Sequence, residues 1–252
     1  MIFIVGILHM VLTDWVLVVA ACFTSMIAAV GGIGGGVVLI AIMPGLLPAA
    51  AIIPVHGLVQ IASNVSRGLL GIRHTEWRIV GQYAGGAVIG ALLGSYFVAD
   101  LEWEMMPLFL GIFILIITWM PKFSNAPDLP AKFTLLGAFQ TALSLFLGVS
   151  GPLNMPFLLR ENLSRDSTVI THSIQMTSSH MMKVLTFGFL GFAFAPYWKL
   201  VVGMVVSASV GSYVGTWIRG RVPEKWFRIF LKGLVTLLSV RMIFHVVFSN
   251  WF

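Results

Sequence analysis

Residues 14–43 read DWVLVVAACFTSMIAAVGGIGGGVVLIAIM, a long apolar run that glycine interrupts at residues 31–36. Similar runs fill most of the chain, in which 58% of the 252 residues are hydrophobic and 10% are charged. A soluble domain of this length is far more polar. A membrane-spanning helix needs about 20 apolar residues, because its backbone hydrogen bonds must be satisfied within the segment. The sequence therefore predicts an all-α, polytopic integral membrane protein whose surroundings are the lipid bilayer.

Composition also excludes several functions. The single cysteine, Cys22, permits no internal disulfide and belongs to no cysteine-based metal motif. The net charge of +6 reflects basic loops beside membrane helices rather than a basic stripe on a soluble face, so nucleic acid is not an expected partner. We expect no metal and no cofactor.

The apolar runs, divided at glycine, proline and charged clusters, predict two similar series of helices. The first series lies at about residues 13–30, 36–47, 50–71, 77–99 and 105–120, and the second at about 133–149, 152–160, 167–192, 197–219 and 225–248. In each series a break separates a long first helix from a short second one. We therefore predict an internal duplication, with a first repeat at residues 12–120, a connecting loop at 121–132 and a second repeat at 133–248.

Matching residues support the duplication. The ordered matches are Gly34 with Gly151, Trp77 with Trp198, Gly90 and Gly94 with Gly211 and Gly215, and Glu102 with Glu224. Glycine is common at close helix contacts in membranes, so the order of the matches carries more weight than any single glycine. These small-residue faces fit packing within one chain and also packing between two copies, so the sequence leaves a homo-oligomer open.

Charged loops orient the two repeats, because Lys and Arg concentrate on the cytoplasmic side of a membrane protein. The loop before the last helix is acidic in the first repeat, with Asp100, Glu102 and Glu104, but basic in the second, at residues 219–228. The repeats are therefore predicted to be inverted, with about six full spans and two broken or re-entrant helical hairpins. This topology places both chain ends on the outer side of the plasma (inner) membrane.

Two helices carry matching polar stripes, named here the first stripe and the second stripe. The first stripe comprises His56, Gln60, Ser63, Asn64 and Arg67, and the second comprises His172, Gln175, Ser179, His180 and Lys183. Their spacing places each set on one face of its helix. Polar groups at membrane depth are costly unless they face a cavity or one another. The stripes therefore predict a functional site, with hydrogen bonding between helices as the alternative.

The two breaks, at residues 31–36 and 148–152, each open a helix N-terminus inside the membrane. Unpaired backbone N–H groups and the positive end of the helix dipole bind anions. Gly34, Gly35 and Gly151 would allow a ligand to approach the backbone closely. Interrupted helices at equivalent places in two inverted halves are typical of a transporter's midplane site.

Polar side chains add to this predicted anion site. Ser150 is placed as the N-cap of the second short helix, and Asn154 supplies a side-chain amide. Arg67 and Lys183 supply positive charge from the two stripes, and a cytoplasmic anchor at the helix end is the alternative role for Arg67. The predicted ligand is therefore a small anion.

The sequence resembles the TauE/SafE family of sulfite exporters over about residues 12–248. The features that carry the resemblance are Asp14-Trp15, the glycine break at 31–36, Glu76-Trp77 and the Gly-x-x-x-Gly of Gly90 and Gly94, all repeated in degenerate form. The resemblance implies a permease rather than an enzyme. Its substrate would be sulfite or an organosulfonate such as sulfoacetate, exported by means of an ion gradient or the membrane potential. The second break departs from the family pattern, because Ser150-Gly151-Pro152 replaces most of the glycines.

A transporter of this kind is expected to work by alternating access, with the two halves rocking about the site. His56, His172 and His180 are candidates to carry a coupling proton, although another cation is an alternative. A passive anion channel would need the same donors without the rocking motion. A third hypothesis is a rhomboid-like intramembrane protease, because residues 148–151 spell Gly-Val-Ser-Gly, with Ser150 as nucleophile and His172 or His180 as base. The first break lacks a serine, which favours a geometric role for both breaks.

Overall fold

The computed structural model describes residues 11–98, 103–120, 131–149 and 151–249. In these residues the chain forms ten α-helices: α1 Leu12–Gly31, α2 Gly35–Ile42, α3 Ala49–Leu69, α4 Trp77–Val98, α5 Met106–Trp119, α6 Lys132–Leu147, α7 Met155–Leu158, α8 Arg165–Phe189, α9 Trp198–Ile218 and α10 Glu224–Ser249. Short 3₁₀ turns lie at Ile72–His74, Trp103–Met105, Gly151–Leu153, Leu159–Glu161, Ala195–Tyr197 and Arg219–Arg221. Asp100, Glu102, Ser150 and most of the predicted loop 121–132 lie outside the described residues.

The lengths of the helices agree with a membrane protein. Four segments of the described chain are long and apolar enough to cross a bilayer, namely Leu12–Gly31, Ala49–Leu69, Ala195–Arg221 and Lys225–Phe248. The shorter apolar helices are α5 and α6, whereas α4 is rich in glycine and α8 carries the second stripe. The prediction of an all-α polytopic membrane protein is confirmed. The sequence assigns the first helix to a returning hairpin, but α1 has 20 residues and is long enough to cross by itself.

Glycine faces join the first helix of each half to the fourth helix of the other half. A Cβ added to Gly211 of α9 would lie 2.0 Å from the carbonyl oxygen of Cys22 in α1. In the same way, a Cβ on Gly90 of α4 would lie 2.0 Å from the carbonyl oxygen of Ala138 in α6. Only glycine permits backbones to approach so closely. Both small-residue faces singled out in the sequence therefore pack within this chain.

Helices α3 and α8 occupy the centre, between these two outer pairs. The Oγ of Ser63 in α3 lies 3.2 Å from the Oγ of Ser212 in α9. On the other side, Thr141 of α6 donates a hydrogen bond from Oγ1 to Ser179 Oγ of α8, at 3.0 Å. The polar faces of the two helices that carry the stripes are thus covered by neighbouring helices, whereas Met181, Leu185 and Phe189 of α8 are exposed.

Helix α3 runs antiparallel to α8. A Cβ added to Gly57, near the start of α3, would lie 3.1 Å from Val184 near the end of α8. Towards the other end of α3, a Cβ on Gly68 would lie 2.3 Å from Ile174. Equivalent helices of the two halves therefore run in opposite directions, which inverted repeats require.

The short helix α2 lies in the apolar core. Its residues Val37, Val38, Leu39, Ile40 and Ala41 are all buried, and they belong to one cluster with the start of α3 and with α5, α9 and α10. Burial of so much apolar surface fixes the position of α2. The break that precedes α2 is held in place for the same reason.

Candidate functional site

Both polar stripes are buried in the interior. No residue of either stripe is more than 7% exposed, and the positions lie on one face of each helix because their spacing follows the helical period. The face of α3 meets the face of α8 across the centre of the molecule. The sequence prediction that the stripes face protein rather than lipid is consistent with this placement.

A cavity of about 40 Å³ lies between the stripes and the two breaks. A buried water needs about 10–15 Å³ by this measure, so the cavity suits a compact ligand. Eight of the predicted site residues line it: Gly34, His56, Gln60, Asn64, Arg67, Gly151, His172 and His180. The apolar side of the lining includes Ala28, Ile33, Val37, Val149 and Met176. The cavity is therefore built from both halves of the chain.

Arg67 is the positively charged group of the cavity lining. Its Nε donates a hydrogen bond to Ser173 Oγ at 2.7 Å, and its Nη2 donates to Asn64 Oδ1. Its Nη1 is buried and has no hydrogen-bond partner among the described residues. Two neighbours thus orient the guanidinium and leave one donor for a ligand in the cavity.

His56 and His172 occupy equivalent positions and make equivalent contacts. The Nε2 of His56 lies 2.9 Å from the carbonyl oxygen of Gly36, and the Nε2 of His172 lies 3.1 Å from that of Gly151. A carbonyl oxygen only accepts, so Nε2 carries the proton and donates in both rings. The Nδ1 atoms are buried without a partner in the described structure. Each histidine therefore anchors the break of its own half and keeps one ring nitrogen open.

The first break presents a helix N-terminus to the cavity. Gly34 is the N-cap of α2 and has φ 97°, a conformation that favours glycine. The first backbone bond of α2 runs from the Val38 N–H to the Gly34 carbonyl at 3.0 Å. The N–H groups of Gly35, Gly36 and Val37 precede that bond and have no partner within the helix. Such a terminus attracts negative charge.

The second break has a different form. The sequence predicts one short helix at residues 152–160, but the structure has a 3₁₀ turn at Gly151–Leu153, the four-residue helix α7 and a second 3₁₀ turn at Leu159–Glu161. Pro156 lacks an N–H group, so an α-helical bond back to Pro152 cannot form. The two breaks are therefore equivalent in position but unequal as helix termini.

Lys183 lies outside the cavity lining. Its Nζ donates to the carbonyl oxygen of Gly148 at 2.6 Å and lies 3.2 Å from His180 Nδ1. Gly148 ends α6 in the left-handed conformation, with φ 71°. The Lys183 side chain therefore stabilises the end of α6 at the second break and is not placed to contact a ligand in the cavity.

Four other predicted site residues in the described part of the chain also lie away from the cavity lining, namely Gly35, Asn154, Gln175 and Ser179. Asn154 donates from Nδ2 to Gln175 Oε1 at 2.6 Å, and Ser179 accepts from Thr141. Gly35 packs against α1, because a Cβ there would lie 1.9 Å from the Thr24 carbonyl oxygen. Ser150 lies outside the described residues. These contacts link helices, which is the alternative that the sequence leaves open for polar stripe residues.

Sequence reasoning missed Ser173, the acceptor for Arg67. Ser173 directly follows His172 and lies near the face of the second stripe, so an antiparallel pairing of α3 with α8 would have identified it. Its own Oγ donates to the Val169 carbonyl oxygen at 2.8 Å. The contact between Arg67 and Ser173 joins the two halves at the cavity.

The fold and the cavity define a class of protein: a polytopic membrane protein in which two breaks between helices border an interior cavity. The model of the sulfite exporter TauE/SafE family matches residues 17–242, nearly the whole chain. The chain belongs to the TauE/SafE family, whose members are membrane transporters and not enzymes, so the protease hypothesis fails. Neither a curated protein nor a solved structure matches the chain. The family implies a small anionic substrate.

Proposed function

We propose that the protein exports sulfite, or a closely related compact sulfur oxyanion, by alternating access at the central cavity. The observation that carries the proposal is the unpartnered Nη1 of Arg67, buried between two broken helices. The basic loops would face the cytoplasm and both chain ends the outside.

Arg67 needs a counter-ion. Arg67 is 2% exposed, and burial of an arginine without a counter-ion is costly because the guanidinium loses its hydration. Among the described residues no carboxylate lies within ion-pair distance of Arg67. An oxyanion in the cavity would accept a charge-assisted hydrogen bond from Nη1 and would face the N-terminus of α2. A bound anion would therefore offset the cost of burying the Arg67 guanidinium.

The size and charge of the cavity favour sulfite over sulfoacetate. Sulfoacetate has a second anionic group and a longer carbon skeleton, so its binding would require more room and a second cation. The cavity is about 40 Å³ in volume. The other nearby cation of the stripes, Lys183, is bonded to Gly148 and His180 and does not line the cavity. A compact oxyanion fits this arrangement better.

We propose that protonation of two cavity histidines accompanies the binding of the anion. In their neutral form, His56 and His172 would direct the lone pair of Nδ1 at a group that needs donors. A proton on Nδ1 turns either ring into a donor for the anion. Proton and anion would then bind the site together, and the inside-negative membrane potential would drive the net negative charge outward.

Flux into proteoliposomes tests the proposal. We expect saturable uptake of radiolabelled sulfite by the wild type and slower uptake of sulfoacetate. Arg67→Gln should lower the sulfite flux at least about tenfold, the size expected for loss of a charge-assisted hydrogen bond. The matched control is Arg73→Gln, because Arg73 is an exposed loop arginine. Absence of saturable oxyanion flux under any gradient contradicts the proposed substrate, and unitary currents would identify a channel instead.

A further inference from the structure

A second arginine, Arg219, is buried outside both stripes. It begins the 3₁₀ turn Arg219–Arg221 that follows α9. Its Nε donates to the carbonyl oxygen of Ala29 at 2.7 Å, and its Nη1 donates to Asp166 Oδ1 at 3.2 Å. Its Nη2 is buried and has no partner among the described residues. Like Arg67, it keeps one guanidinium donor unused.

Arg219 is bonded to the end of α1, the part of that helix that borders the central cavity. Ala29, which it contacts, directly follows Ala28, and both Ala28 and the nearby Gly32 line the cavity. Arg219 itself is not part of the lining. Arg221 follows it on the surface. The buried guanidinium is therefore bonded to a residue next to the cavity lining, and an exposed arginine lies two positions further along the chain. The side of the molecule that carries Arg219 and Arg221 is named here the basic face.

The partner of Arg219 is loosely held. The Asp166 side chain is 60% exposed, whereas that of Arg219 is 8% exposed. Asp166 lies in the first turn of α8, where a carboxylate is favourable for the helix dipole even without an ion pair. The carboxylate can therefore turn towards water at small cost, and the arginine cannot follow it.

We propose that Arg219 is a second anion station on the basic face, at which an arriving small oxyanion takes the place of the Asp166 carboxylate. The proposal rests on the proposed function, because the anion concerned is the one that the central site transports. The charge of Arg219 is balanced before and after the exchange, by Asp166 in one state and by the oxyanion in the other. Asp166 then acts as a built-in competitor that helps to release the anion.

A different reading makes the Arg219–Asp166 pair a structural latch between α8 and the end of α1. The two readings predict opposite patterns. Loss of either partner would open a latch, so the two variants would change transport in the same direction. At an anion station, loss of Arg219 weakens binding, but loss of Asp166 removes the competitor and strengthens it.

The test is the KM for sulfite on each face, measured in inverted and right-side-out membrane vesicles. We expect Arg219→Gln to raise the KM on the basic face about tenfold, the scale of one charge-assisted contact, and to leave the other face unchanged. Asp166→Asn should lower the KM on the basic face several-fold. Arg221→Gln is the control, because that exposed side chain lies over the Trp217 ring, at 4.2 Å, and should leave both values unchanged.

The Asp166→Asn variant decides the matter even if Arg219→Gln fails to fold, because an exposed carboxylate is replaced by a side chain of the same shape. A shift of both variants in the same direction, or an unchanged KM in Asp166→Asn, would overturn the anion station. A wild type without saturable sulfite flux would instead overturn the proposed function, so the two failures are distinguishable.

Discussion

Arg67 depends on a neighbour from the other half of the chain. Asn64, one helical turn away in α3, accepts a hydrogen bond from Nη2 of the guanidinium. Ser173 of α8 accepts a second one from Nε, so the guanidinium is held at two nitrogen atoms. Side chains that fix an arginine lower the entropy that it loses when it binds a ligand. Ser173 is therefore a positioning residue for the anion site.

Truncation of Ser173 tests this role. We expect Ser173→Ala to raise the KM for sulfite about threefold to tenfold with little change in kcat, because one hydrogen bond of Arg67 is lost. Ser178→Ala is the matched control: Ser178 Oγ also bonds back along α8, to the Ile174 carbonyl oxygen at 3.3 Å, and no contact with Arg67 is seen. Equal KM values in the two variants would show that Ser173 serves only the helix.

At this scale the sequence predicted which residues are buried but not what each one contacts. Helical spacing alone places His56 and Arg67 on one face, so the sequence predicted both as site residues, and both line the cavity. Lys183 matches Arg67 in position, yet the glycine that ends α6 exposes a carbonyl oxygen within its reach. Whether a buried cation meets a ligand or a backbone carbonyl depends on the neighbouring helix, which periodicity within one helix does not report.

In the proposed site, the first break is the structural element that would supply backbone donors. Gly34 allows α2 to begin where it does, because its φ of 97° lies in a region that side chains disfavour. In addition, a Cβ on Gly34 would lie 2.5 Å from Leu231 Cδ2. The conformation favours glycine here, and an added methyl group would also displace the Leu231 side chain.

A single methyl group should therefore impair this break. We expect Gly34→Ala to lower sulfite flux at least about tenfold at equal protein level, since it costs about 1–3 kcal/mol of strain and shifts the N-terminus of α2. Gly81→Ala in α4 is the control, because no atom lies within 4 Å of an added Cβ there. Flux in Gly34→Ala equal to that of the control would contradict the role given to the α2 N-terminus.

The sequence predicted both breaks but treated them as alike. Proline explains the difference: Pro152 and Pro156 prevent a continuous short helix in the second half, whereas α2 contains neither. The sequence analysis gave proline at the start of a helix its usual favourable meaning. Two prolines four residues apart remove a donor that the second turn would need.

For the whole molecule, the bilayer made the helices predictable. The thickness of the hydrocarbon layer sets the length of a spanning helix and requires it to be apolar. The apolar runs in the sequence therefore predicted most helix ends to within a few residues. The partners of these helices were less evident. The face of Gly90 and the face of Gly211 indicate that a backbone approaches closely, but glycine does not identify that backbone. The pairing of α1 with α9 and of α4 with α6 emerges only from the folded chain.

Such pairing has a mechanical consequence. The pair α1 with α9 and the pair α4 with α6 each combine one helix from each half. The cavity lies where the antiparallel α3 and α8 meet. Because each close pair joins helices of different halves, we propose that each pair moves as a unit and that movement between the pairs changes access to the cavity, as alternating access requires. We therefore expect carrier behaviour, in which one anion site is reached in turn from both sides of the membrane.

Counterflow tests carrier behaviour directly. Proteoliposomes loaded with unlabelled sulfite are diluted into a trace of labelled sulfite, and uptake of label is followed over time. A carrier with one central site returns with external label after each release, so the wild type should show a transient overshoot and Arg67→Gln should show none. An equal rise to equilibrium without overshoot, or an overshoot that persists in Arg67→Gln, would contradict the account.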